Sequence, residues 1–168
     1  MTRRTPRVVA LGGGHGLAAS LTALRQVTRE LTAVVTVADD GGSSGRLREE
    51  FGVLPPGDLR MALAALCDED LWGETWAKVL QHRFASQGER DGHSTGNLLI
   101  VTVWDLLGDH VKGLDLVGQL LGARGRVLPM ALDPLVLTAT VQRADPAKPE
   151  EITHVEGQVE VATTGGRL

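Results

Sequence analysis

The first segment with residues suited to chemistry is a run of glycines between a short apolar stretch and a helical pattern. Residues 7–11 read as a buried strand, and residues 12–16 (Gly-Gly-Gly-His-Gly) follow it directly. Glycines let a backbone turn sharply and approach a phosphate, and the next helix would offer unpaired N–H groups there. Gly14, Gly16 and Ala19 have the spacing G-x-G-x-x-A of a dinucleotide-binding loop. The segment predicts a phosphate-binding loop, with a merely tight turn as the alternative.

The second such segment begins with two adjacent acids, Asp39 and Asp40, after the strand-like residues 31–38. An acid at this point can accept hydrogen bonds from ribose hydroxyls. Two neighbouring carboxylates could also hold a divalent cation that bridges phosphates. The serines and the arginine of residues 43–46 suit phosphate oxygens. The structural alternative is a solvated turn with Asp as its cap.

Three further positions carry polar groups in loops or at helix starts. Asp58, in the sequence Pro-Pro-Gly-Asp, can cap a helix, and proline punctuation alone would explain that segment. His93 could be a general acid or base, a hydrogen-bond donor to substrate, or a structural loop residue. Arg124 could contact a phosphate or lie in an exposed charged loop. His15 could donate to a phosphate or cap its own loop.

Hydrophobic periodicity predicts the elements that position these residues. A strand, a glycine turn, a helix and a strand form a βαβ unit, for which a parallel sheet and a right-handed crossover are the default. The polar stretch 39–57 is predicted to be one long connection, and two late strands should pair as an antiparallel hairpin around the Pro146–Pro149 loop. The predicted strands are 7–11, 31–38, 135–141 and 155–161, and the predicted helices are 17–27, 59–66, 71–84, 98–107 with Ser94 as its cap, and 114–121.

Length, charge and composition exclude several classes of protein. The chain has 168 residues, enough for one domain, and a net charge of −4 with few aromatic residues. A nucleic-acid partner is therefore not expected, because it needs a basic face and stacking platforms. Cys67 is the sole cysteine, which excludes a disulfide framework and predicts a buried thiol. No apolar run could span a bilayer, so a cytoplasmic protein is expected.

These segments together resemble one family, the YvcK group of gluconeogenesis factors, whose wider family includes the phospholactate transferase CofD. The resemblance implies a Rossmann-like three-layer domain with an inserted β-hairpin, and a cleft for a UDP-sugar such as UDP-N-acetylglucosamine. It also implies links to gluconeogenic growth, cell shape and cell-wall precursor supply. His15 departs from the family's usual Thr. The matching segments are residues 12–17, 35–48, 55–58, 92–97 and 124–129.

The family's chains are longer than this one and carry a second glycine-rich phosphate loop. Residues 1–168 are therefore expected to be the N-terminal part of a CofD-like nucleotide-binding domain, truncated, with self-association or weakened binding as consequences. A parallel sheet also needs both faces covered.

The first functional hypothesis is a non-catalytic regulator that binds a nucleotide-sugar. The second is a metal-dependent transferase of the CofD type acting on a phosphorylated or nucleotide-activated substrate. A nicotinamide-dependent oxidoreductase is third, because no hydride-transfer site is visible. No catalytic residue is assigned, a divalent cation is the one cofactor considered, and the oligomeric state stays open. The candidate ligand-binding residues are Gly12, Gly13, Gly14, His15, Gly16, Leu17, Asp39, Asp40, Gly41, Gly42, Ser43, Ser44, Arg46, Gly57, Asp58, His93, Asn97 and Arg124.

Overall fold

A parallel sheet of three strands organises the protein, whose computed structural model describes residues 5–142 and 152–164. Strand β1 (Val8–Gly12), helix α1 (Gly14–Leu24) and strand β2 (Leu31–Val35) form the βαβ unit. Strand β3 (Arg126–Pro129) pairs with the other side of β2, so that the order is β1-β2-β3 and both pairings are parallel. The carboxyl ends of all three strands consequently lie at one edge of the sheet.

Five helices separate β2 from β3 along the chain. They are α2 (Gly42–Phe51), α3 (Gly57–Leu66), α4 (Leu71–Gln81), α5 (Thr95–Leu107) and α6 (His110–Leu120). After β3 come an antiparallel hairpin of β4 (Thr138–Gln142) and β5 (Ile152–Glu156) and the short helix α7 (Gln158–Thr163). None of the helices in the described ranges is long and apolar enough to cross a membrane.

Alternation along β2 shows which face of the sheet meets the core. Leu31, Ala33 and Val35 are buried, and their partners in register on β1 belong to the same face. Helices α1 and α3 pack on this face and against each other, with Leu17 and Leu21 of α1 buried in the same cluster. Cys67 lies in this cluster as predicted, and burial raises the pKa of its thiol to about 11.

The α/β class, the parallel βαβ unit and the antiparallel hairpin are confirmed, and so is the Ser94 cap of α5, whose Oγ accepts from the Asn97 N–H at 3.2 Å. The prediction of one long connection at 39–57 is wrong, because α2 occupies half of it. The first turn of α2 consists of glycine and serine, so no hydrophobic periodicity marks the start of the helix. Burial of Leu47 stabilises the helix in the folded protein. Gly52 in the left-handed conformation ends it.

Two other corrections concern strands. Strand β3 was not predicted, since the whole strand is four residues long, begins with Arg126, and depends on pairing with the central strand β2. The strand predicted at 155–161 ends at Glu156, where Gly157 adopts φ +102° and α7 begins. The Pro146–Pro149 loop lies outside the described residues.

Two glycines of α6 provide a matched test of the packing. A Cβ on Gly113 would lie 2.5 Å from Trp104 Cδ1, whereas a Cβ on Gly118 would lie 3.8 Å from the nearest atom, Leu63 Cδ2. We expect Gly113→Ala to destabilise the fold by about 1–3 kcal/mol through overpacking. Gly118→Ala should stabilise it by about 0.5–1 kcal/mol, because alanine favours a helix interior. Chemical denaturation of both variants measures the difference; equal effects would contradict the close packing at Gly113.

Candidate functional site

The glycine loop after β1 leaves the start of α1 open. Gly13 is the N-cap and has no side chain to accept a hydrogen bond from the first turn. That turn holds no acidic residue, and Gly14 has φ +57°, a conformation that favours glycine. Gly16 stands in the first turn, where a Cβ would meet nothing within 4 Å. His15 is exposed beside it. The first N–H groups of α1 therefore point into accessible space with the positive end of the helix dipole.

The start of α2 shares these properties. Gly41 is its N-cap without a side-chain cap, and its first turn also lacks acidic residues. By contrast, the helices α4, α5 and α6 are capped by the side chains of Asp70, Ser94 and Asp109. Helix starts with neither a side-chain cap nor an acidic residue in the first turn are thus found at the two helices that follow the carboxyl ends of β1 and β2, and free N–H groups at a helix start suit an anion.

The start of α3 joins these two loops. Thr36, just beyond β2, donates from Oγ1 to Asp58 Oδ2 at 3.0 Å, and a Cβ on Gly13 would overlap both of these side-chain atoms. A Cβ on Gly57 would overlap Ser44 Oγ. Glycine is required at both positions because the three segments approach so closely. The prediction that Asp58 caps α3 is wrong: the N-cap is Pro56, and Asp58 lies in the first turn with its carboxylate bonded to Thr36.

The two adjacent acids have different surroundings. Asp39 accepts from the Gly41 N–H at 3.0 Å through Oδ1, and its Oδ2 lies 3.2 Å from the position of a Cβ on Gly57. Asp40 points the other way and accepts from the N–H groups of Gln158 and Val159 at 2.7 and 3.0 Å. Asp40 therefore caps α7 and ties the hairpin to the loop. Only Asp39 faces the start of α3.

A buried chain of hydrogen bonds holds α2 against α3 and α5. Arg60 Nε donates to Asn97 Oδ1 at 3.0 Å, and Asn97 Nδ2 donates to Ser43 Oγ at 3.0 Å. Ser43 Oγ lies 3.0 Å from His93 Nδ1. Since Ser43 Oγ already accepts from Asn97, its own proton is available to His93. All four side chains are at least 93% buried, because their exposed fractions run from 1% to 7%.

Burial lowers the pKa of both ionisable side chains in this chain of hydrogen bonds. It lowers the pKa of Arg60 to about 10, and the positive charge of Arg83 adds to this effect while Asp58 opposes it. Burial, with Arg46 as a second cause, also lowers the pKa of His93. A neutral His93 is the form whose Nδ1 can accept from Ser43. Ser43, His93 and Asn97 thus have a structural role here, and their predicted ligand contacts stay predictions.

Two arginines from the candidate set bind protein groups. Arg46 donates to the carbonyls of Glu89 and Asp91, at 3.3 and 2.6 Å, and so fixes the loop after α4. Arg124 pairs with Asp68 at 2.7 Å, two residues before β3 begins. Because β3 runs parallel to β2, this is the amino edge of the sheet. The structure therefore does not bring Arg124 to the other candidate residues.

Two residues of this site were not assigned a role from sequence. Thr36 follows β2 and hydrogen-bonds Asp58. Arg60 lies one turn after Gly57, and only 3% of this residue is exposed. Thr36 stands within the matching segment 35–48 and Arg60 two residues beyond the segment 55–58, so their position offered a signal. Their partners come from distant segments and could not be read from spacing.

The carboxylates near the loops fit one kind of cation site. No group of three or more His, Cys, Asp or Glu in the described ranges could hold a metal by itself. Asp39 and Asp58 remain, and Mg²⁺ commonly uses one or two carboxylates together with substrate phosphates and water. These residues fit a cation that arrives with a phosphorylated ligand. Asp40 does not, because both of its oxygens accept hydrogen bonds from α7.

The fold and this edge define an α/β protein with open helix starts at the carboxyl ends of parallel strands. Residues 8–167 match the family described as "2-phospho-L-lactate transferase CofD". A crystal structure of protein BH3568 from Bacillus halodurans is similar, with a TM-score of 0.82 and 36% identity over 97% of this chain and 49% of that chain.

Among its relatives, a "Putative gluconeogenesis factor" of Mycobacterium leprae is 52% identical over 163 residues, which are 97% of this chain and 45% of the relative. A "Gluconeogenesis factor" of Listeria monocytogenes is 39% identical over 91% of this chain and 47% of the relative. The chain belongs to the CofD family, as the resemblance predicted. It spans about half the length of the relatives that it matches.

The two acids can be separated by substitution. Asp40→Ala should release the start of α7, so that the amides of Gln158 and Val159 lose protection in hydrogen exchange, at a cost of about 0.5–2 kcal/mol, as for a lost helix cap. Asp39→Ala is the matched control and should leave those two amides unchanged. Equal exchange at Gln158 and Val159 in Asp40→Ala and the parent would contradict the capping role.

The lowered pKa of His93 predicts how stability depends on pH. The unfolded chain takes up a proton on this residue near pH 6.5, whereas folded His93 does so only at lower pH. The contribution of His93 is therefore complete above about pH 6.5 and declines as the pH falls below it. His93→Gln should flatten the fall in unfolding free energy between about pH 7 and 5. Burial also lowers the pKa of His110, and the contribution of His110 to the pH dependence is the same in both proteins. Parallel profiles would refute the assignment.

Proposed function

We propose that the chain forms part of a nucleotide-sugar-binding regulator linked to gluconeogenic growth, cell shape and cell-wall precursor supply. The ligand class is a UDP-sugar. The name of the Listeria relative, "Gluconeogenesis factor", supports the link to gluconeogenesis. The resemblance of the loop motifs to the YvcK group supports a nucleotide-sugar as the ligand.

The observation that carries this proposal is the pair of uncapped helix starts at one edge of the sheet. The first turns of α1 and α2 have neither an acidic residue nor a side-chain cap. Backbone N–H groups there would receive the diphosphate, since helix N-termini favour anions. Asp39 would accept from a ribose or sugar hydroxyl, because its Oδ2 faces the start of α3, which joins the two loops. In this proposal the chain binds its ligand without a catalytic residue.

Calorimetric titration with UDP-N-acetylglucosamine, UDP, NADH and inorganic phosphate tests the ligand class. Gly16→Val should weaken UDP-sugar binding by at least about tenfold, because its side chain fills the space in front of α1. Its melting temperature should stay that of the parent, since nothing lies within 4 Å of the added Cβ.

Gly88→Val is the matched control, because a Cβ on Gly88 also meets nothing and its loop, which follows α4, is not the loop before α1. It should bind as the parent does. Undiminished affinity in Gly16→Val would move the site away from α1, and tighter binding of NADH than of UDP-N-acetylglucosamine would favour an oxidoreductase.

A second candidate is a metal-dependent transferase of the CofD type. The family description and the two carboxylates, Asp39 and Asp58, favour it. If it applies, Mg²⁺ should strengthen binding of the phosphorylated ligand in the parent, and Asp39→Asn should abolish that effect while Asp40→Asn retains it. Mass spectrometry of the ligand after incubation would detect transfer. Binding that Mg²⁺ leaves unchanged, with no altered ligand mass, would leave the regulator as the supported function.

A further inference from the structure

Arg60 is a buried charge with few partners. Only 3% of the residue is exposed, and its Nη1 has no hydrogen-bond partner among the described residues. In that part of the structure the guanidinium makes one hydrogen bond, from Nε to the neutral amide oxygen of Asn97. None of the salt bridges between described residues includes it. Buried charges in proteins are ordinarily paired, so this one calls for an explanation.

The charges around Arg60 do not balance it. The like charge of the exposed Arg83 acts on it more strongly than the opposite charge of Asp58, and burial outweighs both, so that the pKa of Arg60 falls to about 10. Asp58 is also engaged elsewhere, because its Oδ2 accepts from Thr36 at 3.0 Å. Arg60 therefore carries a positive charge in the interior that its neighbours do not neutralise.

Hydrogen bonds and close contacts connect this charge to both open helix starts. Asn97, which binds Arg60, donates to Ser43 Oγ at 3.0 Å in the first turn of α2. Asp58 lies against the start of α1, since a Cβ on Gly13 would overlap its Oδ2. Because Nη1 is buried, a ligand at these starts would not touch it. The charge would act through the protein, where Coulomb interactions are screened less than in water.

Two carboxylates at the same edge make a balancing charge important for an anion. Asp39 Oδ2 faces the start of α3, and the Asp58 carboxylate belongs to the first turn of that helix. Both would repel a phosphate group at the starts of α1 and α2. The dipole of each helix supplies only about half an elementary charge. Arg60 supplies a whole one.

We infer that Arg60 makes this edge selective for an anionic ligand, because its buried, unpaired charge attracts phosphate groups and offsets Asp39 and Asp58. The inference rests on the proposed function, which places the diphosphate at the two helix starts. It gives Arg60 an electrostatic role without a contact to the ligand. Keeping such a charge unpaired costs stability in the free protein, and a bound anion reduces that cost.

Calorimetric titration with inorganic pyrophosphate and with UDP-N-acetylglucosamine tests the inference. Arg60→Gln removes the charge and keeps an N–H for Asn97, because the Gln amide nitrogen is as many bonds from the backbone as Arg Nε. Arg60→Met removes the charge and fills the space with an apolar chain. Both variants should bind pyrophosphate at least about tenfold more weakly than the parent. Arg60→Lys keeps the charge and should stay within about threefold of the parent.

Arg7→Gln is the matched control. It makes the same change in net charge, but Arg7 is 87% exposed and precedes β1, at the amino edge of the sheet. Its affinity for pyrophosphate should equal that of the parent. Melting temperatures provide a second readout: Arg60→Gln should keep or raise that of the parent, because it removes an unpaired buried charge. A merely structural role would lower stability and affinity together.

Equal affinity for pyrophosphate in Arg60→Gln and the parent would overturn the inference. So would an equal loss of binding in Arg60→Lys, or failure of both neutral variants to fold. If UDP-N-acetylglucosamine binds the parent and the neutral variants alike, the proposed function stands and the inference falls. If pyrophosphate binding depends on Arg60 and UDP-N-acetylglucosamine binds no more tightly than pyrophosphate, the inference stands and the UDP-sugar is contradicted. A parent that binds neither probe would contradict both.

Discussion

Parallel pairing of β1 with β2 is the constraint on which the rest of the molecule depends. It forces the loops after both strands to the same edge, and the crossover between them must be α1. Helix α2 then starts at the same edge of the sheet as α1. The start of α3 fits between the two loops only because Gly13 and Gly57 have no side chains. The candidate site is thus a product of strand direction and of missing Cβ atoms.

Burying a guanidinium costs free energy that nearby hydrogen bonds must offset. Arg60 meets this cost in part through Asn97, although its Nη1 finds no partner among the described residues. The chain that continues through Ser43 to His93 gives α2 one defined position against α5. A polar network of this kind contributes more to the precision of the loop than to stability, because each member is worth little net. The start of α2 therefore has its N–H groups fixed in direction before any ligand arrives.

The sequence was informative where local pattern and tertiary environment agreed. Strand β1 and helix α1 were predictable because apolar periodicity and a glycine turn mark them. Helix α2 was not, since its first turn consists of residues that disfavour helices, and the buried Ser43, Ser44 and Leu47 stabilise it through contacts with other elements. Composition identified the candidate loops, but the sequence could not show that Asp39 and Asp40 have different partners. Adjacent side chains with the same chemistry face different elements, and only the position of α7 reveals it.

The cap that Asp40 provides joins residues 118 positions apart in the chain. During synthesis a chain emerges from its N-terminus, so the sheet strands and α1 to α6, all complete by Pro129, exist before Gln158 does. Throughout that interval the Asp40 carboxylate has no N–H of α7 to accept from and is solvated. The hairpin and α7 are therefore the last described part that can attach, and the Asp40 cap requires the loop after β2 to be formed when they do.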